Sequence, residues 1–253
     1  MINLIDILEG FDPNLKKDDE HYKKLVESVK FLEKKEKILF LTTSNRGEWA
    51  IKNLDEEPKS TKLAKFIADY LGTKKCKVLE IPELKIYPCE ANVSHKDGNS
   101  CGVKKAELKD KKKNPTGDHR CWRNINNPDD ELWIVSKELF DSDCVVFFGA
   151  IRWGQMNSFY QNLIERLTWL ENRHTTLGED NLLKDISCGI IATGQNFNGK
   201  NVIELQKEVL KFFGFDVKDV LCWNWQYTDN PKDETQKSYK NSSKDFNETF
   251  GLE

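Results

Sequence analysis

The sequence predicts an α/β fold, a five-stranded parallel sheet with helices on both faces. Three observations lead there. Short apolar runs alternate with amphipathic helical stretches five times along the chain. The run Cys144–Gly149 is apolar throughout, as a parallel strand covered on both faces must be. No Gly-x-Gly-x-x-Gly follows the first strand, so the dinucleotide-binding version of such a sheet lacks its fingerprint.

The elements follow in order. Residues 1–36 are a charged leader in which Tyr22, Leu25, Val26, Val29 and Leu32 recur at helical spacing, predicting a helix over Asp18–Lys35. Lys37–Thr43 reads as the first buried strand. Leu63, Phe66, Ile67, Tyr70 and Leu71 mark one face of a helix opened by Ser60-Thr61 and stopped by Gly72. Lys77–Ile81 is the second strand. Residues 82–128 hold no sustained period and read as a solvated insertion rich in Lys, Asn, Asp and Gly; loops of that length are functional or disordered. Asp129–Phe140 is helical, Cys144–Gly149 the third strand, and Asn157–Glu171 a strongly amphipathic helix. Ile186–Thr193 is the fourth strand, Val202–Phe213 a helix stopped by Gly214, and Val217–Trp223 the fifth strand. Thr228–Glu253 turns polar and reads as a solvated tail. Five such strands fit the flavodoxin-like order 2-1-3-4-5. The expected organisation is a helical extension (1–36), a flavodoxin-like domain (37–225) interrupted by the insertion 82–128, and a polar tail (226–253).

Composition narrows the function classes. The 253 residues carry 39 basic and 42 acidic side chains, a net charge of −3, which does not suggest a general binder of nucleic acid or membranes. No apolar run reaches the ~20 residues of a membrane helix. The N-terminal stretch lacks the basic region and apolar core of a signal peptide, so a cytoplasmic protein is expected. The seven cysteines are odd in number, and Cys144, Cys188 and Cys222 sit in or beside strand-like runs, which suits buried reduced thiols better than a disulfide framework.

In an open α/β sheet the ligand lies beyond the carboxyl ends of the strands, at the switch in strand order; here that means strands one, three and four. The loop Thr42-Thr-Ser-Asn-Arg-Gly47, with Pro58-Lys-Ser-Thr-Lys62, offers hydroxyls, a helix start and a guanidinium to a phosphate dianion. Ser60 also reads as a plain helix cap and Arg46 as a solvated loop residue. The loop Gly149-Ala-Ile-Arg-Trp-Gly-Gln-Met156 joins the most apolar strand to the most amphipathic helix, and its Trp suits the flank of a flat aromatic ring, unless it packs on its own helix. Ala192-Thr-Gly-Gln-Asn-Phe-Asn-Gly199 presents backbone amides to the polar edge of a ring, or forms an ordinary Gly-rich turn.

Taken in order, these segments resemble the NADPH-dependent FMN reductase family, with its WrbA-like quinone-reductase and iron–sulfur-flavoprotein relatives. Ile38–Arg46 with Lys59–Leu63 resembles that family's phosphate loop, Gly149–Met156 its ring-flanking segment, Asp129–Leu132 the acidic start of the helix before the third strand, and Ala192–Gly194 its third flavin loop. The likeness spans roughly residues 36–225. It implies non-covalent FMN, with NADPH or NADH as co-substrate, and hydride transfer through flavin N5 to a quinone, free flavin or other small acceptor. Thr43, Ser44, Arg46, Ser60 and Thr61 would hold the phosphate. Ala150, Ile151, Arg152, Trp153 and Gly154 would line the ring, with Thr193, Gly194 and Gln195 at its polar edge. Trp153, Trp223 and Trp225 would wall the acceptor site, although the last two equally suit the core. No side chain is required as acid or base, so no catalytic residue is expected. The family also implies a homodimer or homotetramer. Two departures stand out: Gly47–Pro58 lengthens the phosphate loop, and Ala150 stands where the family has Pro. Cys89, Cys101 and Cys121, with His95 and His119, share the insertion; a four-iron cluster takes four thiolates, so free thiols and no metal are expected. The rival readings are a flavodoxin-like electron carrier, an iron–sulfur flavoprotein and a flavin-free binding module on the same scaffold.

Overall fold

A computed structural model describes residues 20–47, 52, 56–194, 197–228 and 230–252. Helix α1 (Glu20–Leu32) buries Tyr22, Leu25, Ser28, Val29 and Leu32 along one stripe, the spacing the leader was expected to use. Strand β1 (Ile38–Thr42) is buried at every position. Helix α2 (Lys59–Leu71) ends at Gly72, whose φ of 90° suits a residue without Cβ. Strand β2 (Cys76–Glu80) leads into the long segment before α3 (Trp122–Asn126) and α4 (Leu132–Phe140). Strand β3 (Cys144–Arg152) turns back as the two-residue β4 (Gln155–Met156) and enters α5 (Ser158–Thr175). Strand β5 (Ser187–Gly194), α6 (Gly199–Phe212), β6 (Asp216–Gln226) and α7 (Gln236–Phe250) complete the chain.

The sheet runs β2-β1-β3-β5-β6, with β4 paired to β3 alone. Without that hairpin arm the order is the expected 2-1-3-4-5, and every ladder in it is parallel. Alternate residues of each strand face opposite layers. Leu39, Leu41, Val145, Phe147, Ile190 and Ala192 pack with α4, α5 and α6. Ile38, Phe40, Val146, Phe148, Leu221 and Trp223 pack with α1, α2 and α7. Two apolar layers of this kind supply the main stabilisation, at about 1.5–3 kcal/mol for each large side chain fully buried.

Four parts of the sequence reading need correction. The stretch expected as a solvated tail holds a packed helix over Gln236–Phe250. Thr235 and Ser238 form a reciprocal capping box that opens α7, and Gly251 at φ 65° closes it. Phe246 and Phe250 are both fully buried against Trp225 and Trp223. Only two apolar side chains four residues apart anchor this helix, too few to stand out as a periodic signal. The segment 82–128 is not wholly solvated: Ala106, Asn114, His119, Cys121 and Asn124 are buried, while much of the rest stays exposed. Arg166 of α5 reaches into it, donating to the Tyr87 carbonyl at 2.6 Å, and also to the Asp130 carboxylate just beyond it at 2.7 and 3.0 Å, with both ends of the ion pair wholly buried. His119 is buried there, bonded to Ser136 at 2.8 Å and set edge-on to Trp169. Finally, β3 does not stop at Gly149. It runs on through Ala150, Ile151 and Arg152: Ala150 stays in register with Thr193 of β5, and its N–H, which Pro would lack, donates to the Asn157 side chain. Asp130 also shortens α4, accepting from the Leu132 N–H so that the helix opens there rather than at Asp129.

The leader helix docks on the edge strand. Ser28 donates to the Val220 carbonyl at 2.6 Å and accepts from the Trp223 indole at 2.9 Å. All seven cysteines carry free thiols, and burial pushes Cys76, Cys101 and Cys144 up to about 12. Among the described residues no three His, Cys, Asp or Glu side chains converge as a metal site. Among them, too, no helix is long and apolar enough to cross a membrane.

Candidate functional site

The carboxyl ends of β1, β3, β5 and β6 open on one edge of the sheet, and a cleft of about 740 Å³ lies beyond them. That volume falls within the range of small-molecule sites. Its frame is set by Asn157, at the start of α5. The Asn157 side chain donates to the Thr43 carbonyl and accepts from the Ala150 N–H at 3.1 Å, while its N–H donates to the Ala150 carbonyl at 3.0 Å. One amide thus ties the β1 loop to the end of β3. Gly149 sits under this knot, where a Cβ would lie 2.5 Å from the Met156 methyl and 2.8 Å from the Thr43 hydroxyl.

At one end the cleft is lined by Ser44, Asn45, Arg46, Glu56, Lys59, Ser60 and Ser243. Helix α2 begins there with Pro58 as its cap residue, so Ser60 is not the cap but a first-turn residue. Its hydroxyl is buried and, among the described residues, has no hydrogen-bond partner, although the side chain lies on the cleft wall. An unsatisfied buried hydroxyl costs roughly 1–3 kcal/mol, a cost that an acceptor supplied from outside would relieve. Arg46 pairs with Glu56 at 2.9 Å, and Lys59 donates to Ser243 at 2.7 Å. Burial holds the Lys59 ammonium below its usual value. Burial pushes Glu56 up, but the Arg46 bond and charge, the Lys59 charge and the Ser243 hydroxyl outweigh it and leave the carboxyl below its ordinary value.

The middle of the cleft is lined by Ala150, Ile151, Arg152, Trp153, Thr193 and Gly194. Trp153 and Gly154 form the two-residue turn of the β3–β4 hairpin, with φ of 52° and 69°, the paired positive values of a type I′ turn. A bulky side chain in that conformation stores strain of ~1 kcal/mol or more. Trp153 is 91% exposed and therefore gains no packing in return. Phe197, also exposed, lies against Gly154, and Asn198 donates to the Gly154 carbonyl at 3.0 Å, holding the hairpin tip to the β5 loop. With Tyr239 of α7 these aromatics make an apolar rim. Burial and a hydrogen bond with Glu234 push the Tyr239 phenol up.

The structure therefore gathers Ser44, Arg46, Ser60, Ala150, Ile151, Arg152, Trp153, Thr193 and Gly194 around one cleft. Thr43 and Thr61 lie behind it. Thr43 is buried and donates to the Phe148 carbonyl at 3.0 Å, a scaffold role, and Thr61 is buried on the inner side of α2. Gly154 shapes the turn rather than the wall, and Gln195 lies outside the described residues. Trp225 reaches the cleft from the core, whereas Trp223 is core only. Sequence reasoning missed Asn157, Glu56, Phe197, Glu234 just before α7, and the contribution of α7 itself, namely Tyr239, Ser242 and Ser243. The capping pair Thr235/Ser238 was the one signal that marked that helix.

No family model matches the chain, and neither does any curated protein. Solved structures do. RosB, with its bound intermediate 8-demethyl-8-formylriboflavin-5′-phosphate, superposes with a TM-score of 0.51 at 14% identity, over 85% of this chain and 75% of its own. An azoreductase from Bacillus anthracis str. Sterne gives 0.48 at 12% identity, over 85% of this chain and 94% of its own. An FMN-dependent NADH-azoreductase from Bacillus anthracis str. Ames Ancestor, in complex with FMN, gives 0.41 at 11% identity, over 83% and 97%. Strand order, helices on both faces and the likeness to RosB agree, and the chain is a flavodoxin-like α/β protein.

Proposed function

We propose that this chain is an FMN-dependent NAD(P)H oxidoreductase that reduces a small acceptor. The observation that carries the reading is the Ser60 hydroxyl, buried and unpartnered in the first turn of α2, at one end of a cleft framed by the switch-point strands. The residues present fit a flavin phosphate: hydroxyls of Ser44 and Ser60, the guanidinium of Arg46 and the open N–H groups of the helix start are all donors. RosB, alike in fold, holds a flavin phosphate.

In this reading Ser44, Arg46 and Ser60 bind the phosphate, and Ala150, Ile151, Arg152 and Trp153 flank the ring. Thr193 and Gly194 meet its polar edge. When bound, the flavin supplies the redox chemistry, hydride uptake at N5 and delivery of electrons to the acceptor. The chain's own work is to hold, orient and shelter. The Asn157 knot fixes the spacing between the phosphate end and the ring wall. Trp153, Phe197 and Tyr239, exposed at the mouth, offer apolar faces to a planar nicotinamide or acceptor. No side chain at the cleft needs to move a proton.

The test is a visible absorbance spectrum of the purified protein before and after adding FMN. A two-band flavin spectrum that bleaches with NADPH or NADH is expected. A protein that neither retains nor binds FMN refutes the proposal.

A further inference from the structure

The anion end of the cleft contains its own anion. Donors crowd it: the Arg46 guanidinium, the Lys59 ammonium, the Ser44, Ser60 and Ser243 hydroxyls and the first turn of α2. Glu56 is the carboxylate set among them. Its two oxygens are divided between Arg46, at 2.9 Å, and the Ser243 hydroxyl, at 3.4 Å, and Ser243 in turn is held by Lys59 at 2.7 Å. The carboxylate therefore engages Arg46 directly and Lys59 through one hydroxyl, while the more deeply buried Ser60 hydroxyl is left without a partner. Glu56 and Arg46 are both about half exposed, so the pair can open toward solvent at little packing cost.

We propose that Glu56 is a built-in competitor of the ligand's phosphate for Arg46 and Ser243, and so the residue that sets how strongly the cleft prefers a phosphorylated flavin over its dephosphorylated form. The inference rests on the flavin reading above. A phosphate dianion entering this end must displace the carboxylate or sit beside it, and either event costs free energy. Riboflavin, without the phosphate, leaves the Arg46–Glu56 pair intact and escapes that cost. With Glu56 in place Arg46 and Lys59 are partly neutralised; a neutral side chain at position 56 frees both for the phosphate, and Ser60 remains available in either case.

The experiment titrates FMN and riboflavin, by quenching of flavin fluorescence, into the full-length wild type, Glu56→Gln and Glu56→Ala. Thermal protection by inorganic phosphate is measured on the same three proteins. Expected is FMN binding at least tenfold tighter in both variants, riboflavin binding unchanged within twofold, and phosphate protection at lower concentration. FMN affinity that is unchanged or weaker in the variants overturns the proposal and makes Glu56 an orienting partner of Arg46. If no protein binds either flavin, the flavin reading fails, and inorganic phosphate alone decides on Glu56. Protection of the variants at lower concentration than wild type upholds the competitor role; equal protection, or none, overturns it.

Discussion

Phe246 gives the sharpest test of how the cleft is held. It sits in α7 with no exposed surface, edge-on to Trp225 at 5.1 Å and to Phe250 at 5.0 Å between ring centroids. Trp225 lines the cleft, and the same helix delivers Tyr239, Ser242 and Ser243 to it. Phe246→Ala removes a large buried ring from between two others. Such truncations cost about 3–5 kcal/mol, transfer and cavity together. For a chain of this size each kcal/mol is worth roughly 2–4 °C, so the melting temperature should fall by about 10 °C. Urea unfolding followed by tryptophan fluorescence measures the loss, and flavin titration on the folded variant measures the site. We expect a loss near 4 kcal/mol and weaker FMN binding, because α7 docks less firmly. A loss within about 0.5 kcal/mol, the size of an ordinary surface substitution, would refute the reasoning and return 228–253 to the status of a tail.

Three further outcomes follow from the same geometry. Burial beside Arg166 pulls His119 down to about 3 despite the Asp130 charge and an Asn124 hydrogen bond, whereas the unfolded histidine titrates near 6.5. The unfolded chain thus takes up the proton first, and this contribution to stability is complete above about pH 6.5 and is lost as pH falls toward 3. Between pH 7 and pH 5 the loss is about 2 kcal/mol, to be read as the difference in urea stability between wild type and His119→Phe; equal pH slopes would contradict it. Trp153→Gly relieves the positive-φ strain at the hairpin turn, so unfolding free energy should hold steady or rise by up to ~1 kcal/mol while ligand affinity falls; a clear loss of stability would show the indole packs after all. Ser60→Ala removes a hydroxyl that has no partner among the described residues, so stability should not fall, yet FMN should bind about 10–100-fold more weakly, the worth of one hydrogen bond to a charged group, with riboflavin unaffected.

The strands of the sheet were legible because each is a short apolar run bounded by turn residues, and β1, β3 and β5 lie within one or two residues of expectation at their starts. Their order then located the switch point, and with it the loops that hold Ser44, Arg46, Trp153 and Thr193. Local pattern also marked the leader helix, through Leu25, Val29 and Leu32, and the buried face of α5. What sequence could not supply was any pairing between distant polar residues. Asn157 reads as one more Asn before a helix, and only the fold brings it to Thr43 and Ala150. Nothing local links Arg166 to Asp130; their burial follows from the long segment folding back over α5, where the two charges compensate each other with help from the Tyr87 and Leu132 backbone. The tail became a helix for a similar reason: Phe246 and Phe250 are too few to announce themselves, and they gain their free energy only once Trp223 and Trp225 are presented by the edge strand. Apolar periodicity is a local property, written in consecutive residues, and it determined the layers of this protein. Which polar groups meet across more than a hundred residues is a property of the closed chain, and it decided the shape and charge of the cleft.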